Sequence, residues 1–146
     1  MRPKKIDNEA LMKGLTSVIR SKGYDGSSLN ELAAASGLQK ASLYHRFPGG
    51  KEEITRTVLT NIHEWIDTHI LRIIADSSRT IEDRLSIALE NIKDFYQNGE
   101  AVCIIRALSL GSGLALFGNE LKTSIESWIQ AITNLGIDAG HESGKA

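Results

Sequence analysis

The sequence predicts an all-α protein: an N-terminal three-helix bundle with a helix-turn-helix, followed by a second helical domain. Three observations carry this. Apolar residues recur at helical spacing almost from end to end, and no sustained alternating run supports a strand. The 146 residues include only two prolines, so little interrupts that pattern. Between Ser28 and Phe47, two short amphipathic segments are separated by one tight glycine turn, which is helix-turn-helix spacing.

A first helix is expected from about Asp7 to Ser21, with Leu11, Leu15, Val18 and Ile19 on one face and Gly23 as its left-handed stop. Ser28 is the expected N-cap of a second helix carrying Leu29, Leu32 and Ala33, and Glu31 completes a capping box. That helix ends at Gly37, where a positive φ is accessible. A third runs from about Gln39 to Phe47. Leu32, Ala33, Leu38, Leu43 and Phe47 are spaced to form the contact between the two, with Ala33 small where the helices should cross closely.

Pro48-Gly49-Gly50 ends the third helix. A fourth is expected from Lys51 to about Ile74, with Glu52 and Glu53 at the positive end of its dipole. Its apolar stripe reads Ile54, Val58, Ile62, Trp65, Ile66, Ile70 and Ile73. Thr80 with Asp83 opens a fifth helix whose buried face is Ile81, Leu85, Ala88, Ile92 and Phe95. From Ala101 to Phe117 the chain is apolar on nearly every side, as a central helix would be. After Gly118 a seventh helix carries Leu121, Ile125, Trp128, Ile129, Ile132 and Leu135, with Gly136 as its cap and a polar tail beyond. The expected domains are residues 1–50 and 51–146.

Composition excludes several classes. At 41% hydrophobic and 24% charged, the chain has the make-up of an ordinary globular domain. It has no apolar run long enough to span a bilayer and no signal peptide before the basic start Met1-Arg2-Pro3-Lys4-Lys5, so no membrane partner is expected. A single cysteine, Cys103, excludes an internal disulfide framework and suits a reducing cytoplasm. The net charge of -1 conceals an asymmetry: residues 1–60 hold ten Lys/Arg against six Asp/Glu, the rest seven against twelve. A basic head on an acidic body points to a nucleic-acid partner for the head.

The third helix is too short to stand alone in water, so its neighbours must brace it. Its leading residues Gln39, Lys40, Ala41 and Ser42 are small or hydrogen-bonding, as a helix entering a DNA major groove requires. Lys51 joins an ammonium to the backbone N–H groups of a helix start, a favourable phosphate seat. Ser28 can touch phosphate from the start of the second helix, and Lys4 and Lys5 form a basic arm able to follow the backbone. Each has a plainer reading: Ser28 as a cap only, Lys4 and Lys5 as a solvated terminus.

The stretch from Ser27 to Glu53 resembles the TetR-type transcriptional regulators. Ser27-Ser28-Leu29, Leu32-Ala33, Ser36-Gly37-Leu38, Ser42-Leu43-Tyr44-His45 and Phe47 stand where that family's helix-turn-helix signature has them. Phe47-Pro48-Gly49-Gly50-Lys51-Glu52-Glu53 is similar to its LmrA/YxaF-like branch, and a weaker likeness runs through Phe95-Tyr96 and the Cys103 helix to Trp128. Ala41 departs from the glycine the family often has there. The resemblance implies that Tyr44 and His45 hold phosphates, although Tyr44 could simply pack. It also implies a homodimer on a double-stranded, near-palindromic operator, acting as a repressor. Members usually continue with two further helices that form the dimer interface. This chain stops at Ala146, so its second domain is expected to be incomplete at its C-terminus.

That second domain reads as an effector-binding and dimerisation domain. Trp65, His69, Phe95, Tyr96, Cys103, Phe117 and Trp128 fall on or near apolar faces, and a cavity lined by them would suit a moderately hydrophobic small molecule. Arg106 lies within an otherwise apolar helix, where it can bind an acidic ligand, pair with a fifth-helix carboxylate or reach outward to water. His63 and Asp67 are one turn apart but lack the HExxH zinc spacing, and Cys103 lies in apolar surroundings that favour an inert thiol. No cofactor, metal or acid/base pair is indicated. Two rivals remain: a ligand-insensitive architectural DNA binder, and an enzyme or carrier using the helical cavity.

Overall fold

The computed structural model describes residues 7–144, and every regular element among them is helical. In order these are α1 (Asn8–Gly26), α2 (Leu29–Ser36), α3 (Lys40–Arg46), α4 (Gly50–Ile66), a π-helical turn (Asp67–Leu71), α5 (Arg72–Ala75), α6 (Ile81–Phe95), a 3₁₀ turn (Gln97–Gly99), α7 (Ile104–Leu108) and α8 (Ser112–Ser143). The chain divides into two units. One holds the residues up to Thr60 with Val102–Gly118, and the other holds Asn61–Ala101 with the residues from Asn119 onward.

The first unit is built on α1. Leu11, Leu15 and Ile19, at four-residue spacing, are all at most 1% exposed. Leu32 of α2, Leu43 of α3, Ile54 and Val58 of α4, Leu108 of α7 and Phe117 of α8 are equally sealed from solvent. A side chain at Gly14 would run into the Ala35 carbonyl of α2, so the α1–α2 crossing depends on this glycine as well as on small Ala33. Gly23 interrupts α1 with φ 72°, as its sequence position foretold. The turn that follows is tied down by Ser27 Oγ, which donates to the Gly23 carbonyl at 2.5 Å.

The capping box at α2 is present: Ser28 Oγ accepts from the Glu31 N–H and Glu31 Oε2 from the Ser28 N–H, both at 3.1 Å. Gly37 closes the helix in the left-handed region at φ 75°. Gln39 is the N-cap residue of α3 and not part of it. In the fourth helix, burial continues at strict four-residue spacing through Ile62, Ile66, Ile70 and Ile74. An α-helix drifts by about 40° for each such step. The π turn at Asp67–Leu71, closed by the Arg72 N–H on the Asp67 carbonyl, absorbs the drift. That extra residue puts Ile74, in place of the expected Ile73, in the core.

The last third departs most from expectation. Ala101–Phe117 is not one helix: α7 is short, and the break falls at Gly111 (φ 56°). The backbone N–H of Ser112 is capped from a distance by Asp25 Oδ2 at 2.8 Å, which starts α8 there. Helix α8 then continues through Gly118 and Gly136, neither of which ends it. A mid-helix glycine costs only about 1 kcal/mol, which neighbouring packing overrides. Leu85, expected on a buried face, is 42% exposed, and Ile125, Ile129 and Ile132 of α8 are 44–59% exposed.

In the second unit the guanidinium of Arg84, only 3% exposed, meets Asp138 Oδ2 at 2.7 Å. It also donates to the carbonyls of Arg79 (3.1 Å) and Ile74 (3.4 Å). This fixes α6 against the C-terminal half of α8. None of the described helices is long and apolar enough to cross a membrane.

Gly14→Ala should lower stability by about 1–3 kcal/mol through overpacking, read as a lower urea midpoint at unchanged slope. The Asp25 carboxyl is held below its ordinary value, chiefly by the Ser112 backbone N–H. Its contribution is therefore complete above the unfolded value near 3.8 and is lost as pH falls through the lower folded value. Melting curves of the wild type and Asp25→Asn should differ at neutral pH and converge in acid.

Candidate functional site

The outer edge of α3 follows from what its inner edge buries. Leu43 is fully buried and Phe47 is 8% exposed. The face between them is committed to the core, and Gln39, Lys40, Ala41, Ser42, Tyr44, His45 and Arg46 all lie exposed. Gln39 makes no capping hydrogen bond, so its amide is not consumed locally. The carbonyl of Gln39 accepts from the Leu43 N–H at 3.0 Å, and that of Leu43 from the Phe47 N–H at 2.8 Å, which holds the short helix in register.

Arg46 was not singled out from sequence. Its Nη2 reaches Asn8 Oδ1 at 2.5 Å and ties the end of α3 to the start of α1. Ser28 is exposed at the start of α2. As a cap its oxygen accepts from the Glu31 N–H. Glu31 is itself held by Lys22 Nζ at 2.6 Å, the leading cause of its lowered pKa. Lys4 and Lys5 lie outside the described residues.

Lys51 opens α4 directly after Gly50. Its ammonium stands 4.3 Å from the centre of the Tyr24 ring, a partner that sequence reading did not anticipate. Tyr24 in turn meets Phe117 edge-on at 5.5 Å. Burial raises the pKa of its phenol, with Glu52 and Asp25 adding to the effect, so it stays protonated. At the same helix start, Glu53 Oε2 accepts from the Gly49 N–H at 2.6 Å. One donor of the expected phosphate seat is thus already occupied by a carboxylate, and Lys51 supplies the positive charge there.

The eight residues marked for ligand binding are distributed over both units. Cys103, Arg106 and Phe117 belong to the first unit, and the other five to the second. Phe117 is fully buried beneath Tyr24 and Arg56, whose guanidinium lies 5.0 Å from its centroid. Cys103 is half-buried at the N-cap of α7, and Arg106 is exposed, making no ion pair with a described residue. In the second unit, Trp65 stacks with His69 at 4.5 Å and with Phe95 at 4.7 Å. Tyr96 meets Phe95 edge-on at 5.0 Å. Trp128 stands apart from this stack. It lines an open groove of about 300 Å³ together with His63, Glu64, Asp67, Ser124 and Ser127. No group of three or more metal-ligating side chains occurs among the described residues.

Residues 11–58 match the model of the bacterial regulatory proteins of the tetR family. Over that stretch the chain is similar to the TetR family. Its similarity is to the LmrA and YxaF type. It is 27% identical over 115 residues to the HTH-type transcriptional regulator YxaF of Bacillus subtilis, covering 79% of this chain and 60% of YxaF. It is 36% identical over 58 residues to LmrA of the same organism, covering 40% of this chain and 31% of LmrA. The chain therefore spans about 60% of the length of YxaF. The crystal structure of a TetR transcriptional regulator from Legionella pneumophila shares the fold, with a TM-score of 0.74 at 20% identity over 96% of this chain and 75% of that one. These relatives are transcriptional regulators, not enzymes.

Lys51→Ala should weaken binding to duplex DNA of any sequence and reduce the salt slope of affinity by about one ion. Filter binding across a salt series reads both. An unchanged slope removes Lys51 from the phosphate contacts.

Proposed function

We propose that this protein is a DNA-binding transcriptional repressor. It acts in the cytoplasm as a homodimer on a near-palindromic operator, and a small effector with a hydrophobic body releases it. The observation that carries the reading is the exposed edge of α3. Gln39, Lys40, Ala41 and Ser42 stand free at the front of a helix whose opposite side is anchored by Leu43 and Phe47. Amide, ammonium, methyl and hydroxyl groups at that edge match the donor, acceptor and methyl pattern of a major groove. Ser28, Tyr44, His45 and Lys51 would hold the phosphates on either side and fix register.

Two such edges, one from each subunit, would read half-sites about one turn of DNA apart. An effector that binds the non-DNA conformation more tightly would shift the population away from the operator. The family resemblance and the YxaF and LmrA similarities support this reading.

Selection of bound sequences from random duplex DNA tests it. The expected result is a palindrome with half-sites separated by about one helical turn. Gln39→Ala should alter base preference within each half-site and leave the salt slope intact. Random competitor DNA that displaces a selected fragment as well as the fragment itself would indicate an architectural binder instead.

A further inference from the structure

The Lys51 ammonium makes no hydrogen bond or ion pair with a described residue; what it meets is the Tyr24 ring, 4.3 Å from its centre. We propose that Tyr24 is a positioning residue for phosphate binding. Its ring face holds the Lys51 ammonium in place before DNA arrives, and it acts on the duplex only through Lys51. This role rests on Lys51 being a phosphate contact.

Three carboxylates belong to the same turn and helix start, and each is engaged elsewhere. Asp25 Oδ2 accepts from the Ser112 N–H at 2.8 Å. Glu52 Oε1 meets Arg56 Nη2 at 3.4 Å. Glu53 Oε2 accepts from the Gly49 N–H at 2.6 Å. The Ser112 N–H is the largest cause of the lowered Asp25 pKa, and the Lys51 charge is the smallest. Were one of these carboxylates paired with Lys51, a phosphate would have to displace it. A ring makes no such demand, because the ammonium keeps its full charge and its three donors cannot all be turned to one face.

The ring is itself fixed. Phe117, fully buried, meets it edge-on at 5.5 Å. The Arg56 guanidinium lies 5.0 Å from the Phe117 centroid. The Tyr24 carbonyl accepts from the Ser27 N–H at 3.3 Å, and Gly23 before it takes φ 72°. All of these residues lie in the first unit.

A lysine side chain loses much rotamer freedom when it is held against a phosphate. A ring that holds it beforehand removes part of that loss from binding. The attraction between ammonium and ring also strengthens once the duplex excludes water from it. Both effects favour the bound state, and both vanish without an electron-rich ring face.

Fluorination tests this, because it removes the negative potential of the ring face and leaves the ring in place. Tyr24→Phe and pentafluorophenylalanine at position 24 are each made in the full chain, with Lys51 and with Lys51→Ala. Filter binding to one mixed-sequence duplex is read across a salt series. Tyr24→Phe should bind as the wild type does. Pentafluorophenylalanine should weaken binding about two- to fivefold beside Lys51, the worth of an exposed cation–π contact. In the Lys51→Ala background it should change nothing. A loss through folding or through the Phe117 contact would persist there, so equal losses in both backgrounds overturn the proposal. Equal affinity of the two rings beside Lys51 overturns it as well. If Lys51→Ala binds as tightly as the wild type with the same salt slope, the phosphate reading of Lys51 fails, and the role of Tyr24 with it.

Discussion

The burial of Leu43 and Phe47 is the constraint on which the head of this molecule depends. A helix of seven residues does not persist in water, because nucleation costs more than so few hydrogen bonds return. It exists here because two large side chains, four positions apart and on one face, are taken into a core already formed by Leu11, Leu15, Ile19 and Leu32. Once that face is fixed, helical geometry leaves no freedom to the rest. Residues 39–42 and 44–46 must face outward, whatever they are. The outward side chains contribute little to the fold and are aimed by two that are buried in it. The direction of the helix is set one step earlier, by Gly37, whose left-handed backbone donates to the carbonyls of Ala33 and Ala34.

The seat of Lys51 has a similar logic. Its ammonium rests over Tyr24, Tyr24 meets Phe117, and the neighbouring Asp25 caps the start of α8 through Ser112. The turn after Gly23 therefore holds both the charge at the front of α4 and the segment that follows α7. Arg20 reinforces the same joint by donating from Nε to the Val102 carbonyl at 2.8 Å. A positive φ at Gly23 makes this possible, since a side chain there would also meet the Ala107 carbonyl at 2.8 Å.

What could be read from sequence was what is decided locally. Ser28 with Glu31, Gly23 and Gly37 acted as their neighbours required, and the helices of the first third followed. Glycines in the last third did not act alone. Gly118 and Gly136 are carried through α8, whereas Gly111 becomes a break because Asp25, 87 positions earlier, supplies a cap. Ile74 replaces Ile73 because a single inserted residue in the π turn shifts the face, an event periodicity cannot foresee. The Arg84–Asp138 pair spans 54 positions and carries no local signature. The exposed edge of α3 was legible because short-range geometry creates it. The groove was not, because it is made by residues 60 positions apart.

The ligand candidates show why. Aromatic content was the signal available, and aromatic rings at helical spacing satisfy one another first. Trp65 stacks with His69 and with Phe95, and Phe117 is sealed within the core. Rings so engaged already serve the packing, while Trp128 has no ring partner among the described residues and borders open space. A binding site is better marked by groups whose needs the fold leaves unmet than by groups of the right type.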